Sequence, residues 1–159
     1  MRNDARAPGR QRSAGGCSIP PPLQRSQFVH LLERQIALPL CRSVFVVDDD
    51  PSMRASLNRL LRGHGFDATL FESAGALLQH DKFHTAICIV LDIDLDGKSG
   101  IDVRRSLTEQ GVTAPVIYIT GNDSPANRAA ALGSGCFAYL TKPFTAESLI
   151  GSIERAGIS

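Results

Sequence analysis

Apolar and polar positions divide the chain into three stretches, and the longest begins at residue 44. There, short apolar runs alternate with segments whose apolar residues recur every three or four positions, the mark of strands alternating with helices. Val44-Phe45-Val46-Val47, β-branched and aromatic, predicts a buried strand. Asp50-Pro51 then opens a helix, with Asp as N-cap and Pro at the first helical position. Its inner face is Met53, Leu57, Leu60 and Leu61, and Gly63 and Gly65 end it. Residues 68–71 predict a short strand and 73–79 a short helix. Residues 86–91 form a second fully apolar strand, followed by a loop and a helix over 101–110. Residues 115–119 predict strand four, 125–132 a helix that stops at Gly133, and 136–140 strand five. A last helix follows Thr145, with Ala146, Leu149, Ile150 and Ile153 inward.

Five strand–helix alternations in residues 44–159 imply right-handed βαβ units and one parallel, doubly wound, five-stranded α/β sheet. Central strands that read as unbroken apolar runs require helices on both faces.

Upstream the pattern changes. Residues 1–22 combine Arg, Gly15-Gly16 and Pro20-Pro21-Pro22 with almost nothing apolar, too little to offset ordering entropy, so a disordered arm is expected. Residues 23–38 carry Phe28, Leu31, Leu32 and Ile36 on one stripe between Pro22 and Pro39, which fits a short amphipathic helix. The expected organisation is therefore an extension over 1–43 and a domain over 44–159.

Charge sharpens that boundary. Of 159 residues, 17 are Lys or Arg and 16 Asp or Glu, a net of +1. Residues 1–43 hold seven Arg against Asp4 and Glu33, a net of +5, and the remainder is net −4. The basic arm lacks the aromatic interleaving of a nucleic-acid surface, and no direct nucleic-acid contact is expected. No apolar run approaches the roughly 20 residues of a membrane span, and the Arg-bearing first residues lack the apolar stretch of a signal peptide, so a cytoplasmic protein is expected. Cys17, Cys41, Cys88 and Cys136 lie far apart, without the spacing of a zinc site or a disulfide framework.

In a parallel sheet ligands gather at the carboxyl ends of the strands. Strand one ends in Asp48-Asp49-Asp50, strand three in Asp92, strand four in Thr120, and strand five runs into Lys142-Pro143. Asp50 is accounted for as a helix cap. Converging carboxylates repel unless a cation neutralises them, and a hard divalent ion such as Mg²⁺ suits a site with few protein ligands. A Lys ammonium and a Thr hydroxyl beside them make a pocket for an oxyanion such as a phosphoryl group.

The blocks VFVVDDDPSMR, IVLDIDLDGKSG, VIYITGN and AYLTKPF, in this order and spacing, resemble the response-regulator receiver domain of two-component signalling. The resemblance covers residues 43–157 and is nearest to receivers of nitrogen-fixation-type transcription regulators. It implies a flavodoxin-like strand order, 2-1-3-4-5, and a phosphorelay switch rather than a turnover enzyme. It makes Asp92 the phospho-acceptor, with Asp49 on Mg²⁺ directly, Asp48 through water, and the Asp94 backbone carbonyl as a further ligand. Thr120 and Lys142 would contact phosphoryl oxygens, and Tyr139 would be the switch aromatic, although a Tyr there also reads as core packing with its hydroxyl at the rim. The implied donor is a sensor histidine kinase or a histidine phosphotransfer protein. The signal would leave through the last strand–helix face, to an unknown protein target or a second copy, from a receiver expected to stand alone without an output domain.

Some positions depart from that pattern, and other readings compete with it. Asp96 stands where the family usually carries Pro, and Asp94 and Asn122 fill variable positions at the pocket mouth. Residues 92–97 also match the opening of an EF-hand loop, but position 12 is Val103 rather than Glu and the segment follows a strand. A strand-end Asp-x-Asp phosphohydrolase would place that motif on its first strand. A receiver that works by binding alone is the remaining alternative.

Overall fold

The computed structural model describes residues 43–158. The expected arm, with its helix over 23–38, lies outside them apart from Ser43. The elements run β1 (Ser43–Val47), α1 (Pro51–Gly63), β2 (Asp67–Phe71), α2 (Ala74–Leu78), a 3₁₀ turn (Phe83–Thr85) and β3 (Ala86–Asp92). A small hairpin follows, β4 (Asp94–Leu95) and β5 (Lys98–Ser99), then α3 (Gly100–Glu109), β6 (Val116–Thr120), α4 (Pro125–Gly133), β7 (Ala138–Thr141) and α5 (Ala146–Ala156). The main sheet is parallel throughout, in the order β2-β1-β3-β6-β7. With the hairpin set aside, that is the expected order 2-1-3-4-5.

Alternation along the central strands sorts their side chains into two cores. Phe45, Val47, Ile89, Leu91, Val116 and Tyr118 pack with residues of α2, α3 and α4 on one face. Val44, Val46, Cys88, Val90, Ile117 and Ile119 pack with Leu57 and Leu61 of α1 and Leu149, Ile150 and Ile153 of α5 on the other. Both faces are covered, as unbroken apolar strands require.

Each of the five described helices opens with a side-chain cap. Asp50 accepts from the Ser52 amide at 2.9 Å, and Ser73, Ser99, Ser124 and Thr145 cap the others. Each such bond stabilises its helix by about 1 kcal/mol and fixes where the strand-end loop stops.

The structure corrects three local expectations. Ala146 is exposed, because it is the first residue past the Thr145 cap; Ala156, two turns beyond Leu149, fills the inner face instead. The loop after Asp92 is partly a hairpin, turning at Asp96-Gly97 with Gly97 at φ +77°. The last strand starts at Ala138 rather than 136, because Gly135, at φ +72°, is still turning the chain.

Candidate functional site

Sheet register builds the site. Val47 lies opposite Leu91, so Asp48 and Asp92 emerge side by side one residue later. Asp92 lies opposite Ile119, which places Thr120 just beyond it, and Thr120 lies opposite Thr141, just before Lys142. Gaps of 44, 28 and 22 residues in sequence thus close at one edge.

Asp48, Asp92 and Thr120 are buried polar residues, and the bonds they make explain how that is tolerated. The Lys142 ammonium donates to Asp48 Oδ2 at 2.9 Å and to Asp92 Oδ2 at 2.7 Å. The other Asp48 oxygen accepts from the Asp50 amide at 2.9 Å, and the other Asp92 oxygen from the Asp94 amide at 3.0 Å. Burial pushes the Asp92 carboxyl above its ordinary pKa against the pull of these bonds, and the Asp48 charge adds to the effect. One ammonium is shared between two acids and cannot neutralise both. Burial also works against the Lys142 charge, but the two carboxylates outweigh it and hold its pKa above the usual lysine value.

Asp49 is exposed and completes a set of three carboxylates, with Asp48 and Asp92, whose oxygens all lie within 4.8 Å of one another. Convergent carboxylate oxygens with a single ammonium between two of them fit a hard divalent cation such as Mg²⁺. The Asp94 carbonyl is not taken up by the hairpin. Gly100 N–H donates to Ile93 O at 2.7 Å, so by the alternation of an antiparallel pair the Asp94 carbonyl points away from Ser99 opposite it. Beside the cluster is an open cleft of about 400 Å³, lined by Asp49, Asp94, Asp96, Lys98 and Asn127 among others. Asp96, where the resemblance leads one to expect Pro, adds its carboxylate to that wall.

Thr120 has one hydroxyl hydrogen and two acceptors for it, Asp94 Oδ2 at 3.2 Å and Asn122 O at 3.3 Å, while its oxygen accepts from the Asn122 amide at 3.0 Å. Tyr139 stands on the neighbouring strand, half-buried, with its hydroxyl donating to Asp123 Oδ1 at 3.2 Å. Every residue singled out from the sequence is therefore at this edge or its rim.

Four contributions were not read from the sequence. Arg54 Nη1 donates to the Asp48 carbonyl at 2.7 Å and pins the β1–α1 turn. The Arg ending the first sequence block was its only signal. A Cβ on Gly100 would lie 2.2 Å from the Asp92 carbonyl oxygen, so α3 starts directly on the backbone of the acid. The Asp94 side chain reaches Thr120, and Arg128 joins Asp123 and Tyr139. These last contacts join separate elements and leave no pattern in the sequence.

Comparison with known proteins gives a consistent result. Residues 44–154 match the family described as response regulator receiver domain. Nodulation protein W of Bradyrhizobium diazoefficiens is 37% identical over 113 residues, covering 71% of this chain and 50% of that protein. Transcriptional regulatory protein FixJ of the same organism is 34% identical, over 71% of this chain and 55% of that one. The chain thus spans about half the length of these curated relatives. Among solved structures, the N-terminal part of FixJ superposes with a TM-score of 0.68 at 30% identity, covering 73% of this chain and 93% of that one. The response regulator StyR does so with 0.66 at 36% identity, covering 72% and 58%.

Proposed function

The chain belongs to the response regulator receiver domain family, and on that premise we propose that residues 44–159 accept a phosphoryl group on Asp92. The observation that carries the reading is a buried Asp92 carboxylate held by Lys142 and the Asp94 amide, with Asp48 and Asp49 converging on it. The donor is a phosphohistidine on a sensor histidine kinase or a histidine phosphotransfer protein. A carboxylate oxygen of Asp92 bonds to phosphorus in line as the phosphorus–nitrogen bond breaks, and the bonding pair leaves with the imidazole. The Lys142 ammonium, already 2.7 Å from Asp92, follows the charge onto a phosphoryl oxygen. The Thr120 hydroxyl turns from Asp94 and Asn122 to another.

Asp49, Asp92 and the Asp94 carbonyl, with Asp48 behind them, are the residues that would hold Mg²⁺, which supplies charge neutralisation for the transferring group. Water later cleaves the acyl phosphate, so the domain is a timed switch in the cytoplasm. Its message leaves by the β7–α5 face, to a downstream protein or a second copy, with Tyr139 as the mobile aromatic. Residues 1–43 serve as an extension outside the phosphoryl chemistry.

Incubation with acetyl phosphate and Mg²⁺ should give an acid-stable, alkali-labile label on the wild type. Asp92→Asn should take none, because an amide cannot attack, and chelation should stop the wild-type reaction. Equal labelling of Asp92→Asn would overturn the assignment. An unlabelled wild type that still binds a partner would favour a binding-only module.

A further inference from the structure

The rim beside the site carries a closed triangle of contacts that phosphoryl acceptance does not use. Asp123, in the loop between β6 and α4, accepts the Tyr139 hydroxyl on Oδ1 at 3.2 Å and Arg128 Nη2 on Oδ2 at 2.7 Å. The Arg128 guanidinium also lies over the Tyr139 ring, 4.9 Å from its centroid. Each of the three side chains therefore touches the other two. Tyr139 can leave this position only by giving up a hydrogen bond and a cation–π contact together.

The same loop is tied to Thr120. Asn122 O accepts from the Thr120 hydroxyl, from Asn127 Nδ2 at 3.0 Å and from the Ser124 amide at 3.1 Å, and Asp123 is the next residue. Thr120 and Tyr139 also share a face of the sheet. Tyr118 lies opposite Tyr139 and Thr120 opposite Thr141, so the hydroxyl and the phenol belong to the same side of adjacent strands. A hydroxyl drawn away from Asn122 thus loosens the loop at the residue before the triangle's carboxylate.

We infer that Arg128 and Asp123 are positioning residues for Tyr139, a clasp that holds the phenol at the rim and that the β6–α4 loop must release before the ring can move inward. This rests on the reading of Tyr139 as the mobile aromatic of the proposed switch. The clasp is suited to opening. Arg128 and Asp123 are 53% and 34% exposed, so water replaces their bonds at little cost. Arg128 holds the Asp123 carboxyl below its ordinary pKa against the opposing effect of burial, and the Tyr139 bond adds to the lowering, so the pair is charged at neutral pH.

The chain has two tyrosines and no tryptophan, and Tyr118 is wholly buried, so acrylamide quenching of tyrosine fluorescence reads Tyr139. In resting protein, Arg128→Ala and Asp123→Asn should move Tyr139 toward the quencher-protected position by up to about three- to thirtyfold in equilibrium, the combined size of an exposed cation–π contact and an exposed ion pair. Arg128→Lys should fall between, keeping the charge but not the planar stack. Arg105→Ala, which removes the exposed Arg105–Asp102 pair on α3, should match wild type. Wild-type quenching in Arg128→Ala, or a more accessible Tyr139, would overturn the inference. Labelling of Asp92 is scored in the same samples. A wild type that takes no label defeats the phosphoryl reading, yet the resting-state comparison still decides whether the clasp exists.

Discussion

The molecule uses the same chemistry twice, at two depths. At the sheet edge Lys142 bridges Asp48 and Asp92 at 2.9 and 2.7 Å; at the rim Arg128 pairs with Asp123 at 2.7 Å and covers Tyr139. The distances are alike but the surroundings differ. Asp48 is wholly buried and the Lys142 side chain only 20% exposed, against 53% for Arg128. Coulomb attraction strengthens as water is excluded, and so does the cost of stranding one partner. The buried cluster is thereby held in one geometry, whereas the exposed one is cheap to open and close.

The largest test of that contrast is Lys142→Met. It leaves two buried carboxylates facing each other and should lower unfolding free energy by about 3–5 kcal/mol at neutral pH, measured by urea denaturation. Adding Asp92→Asn to that variant should restore much of the loss. Arg128→Ala, by contrast, should leave the urea midpoint close to wild type, and equal losses for Lys142→Met and Arg128→Ala would erase the distinction between the clusters.

Gly100→Ala comes next. Its Cβ would sit 2.2 Å from the Asp92 carbonyl oxygen, so the first turn of α3 or the acid itself must shift. Overpacking of this kind costs about 1–3 kcal/mol. Because the displaced atom belongs to the proposed acceptor, labelling by acetyl phosphate should fall by about tenfold or more. A normal labelling rate in a destabilised protein would mean that Gly100 serves packing only.

The smallest effect is a difference of sign with pH. The folded pKa of Asp92 is raised, chiefly by burial, so its contribution favours the folded state at low pH. That contribution is lost as pH rises from the ordinary carboxylate value through the raised one. The folded pKa of Asp123 is lowered, chiefly by its bond to Arg128, so its contribution is present above the ordinary value and fades as pH falls through the lowered one. Stability differences between wild type and Asp92→Asn, and between wild type and Asp123→Asn, should therefore slope in opposite directions across the acid range. Parallel slopes would place the two acids in equivalent surroundings.

Much of this was legible in the sequence because it is local or periodic. Apolar runs located the five long strands, and Asp50, Ser73 and Thr145 stood where helices had to begin. The strand ends then delivered Asp48, Asp92, Thr120 and Lys142 to one edge without any knowledge of contacts. The hairpin after Asp92 did carry an Asp-Gly turn signal, but strands of two residues are too short to show alternation. Ala146 was misplaced because periodicity marks a face, not the point where a helix runs past its sheet. The clasp on Tyr139 joins a loop, a helix and a strand, and only the folded chain brings Asp123, Arg128 and the ring together.

Where the described chain enters and leaves the sheet has a consequence for protein engineering. Ser43 pairs with Ala86 at the amino edge, and a Cβ on Gly157 would lie 3.7 Å from Ile87, the next residue of that strand. Both ends thus share the edge opposite Asp92, and five residues of β1 put roughly 16 Å between Ser43 and Asp48. A module whose ends meet on one side can be spliced as a cassette into a surface loop of a host protein. In such a chimaera the acid pocket would lie at one edge of the sheet and the graft points at the other.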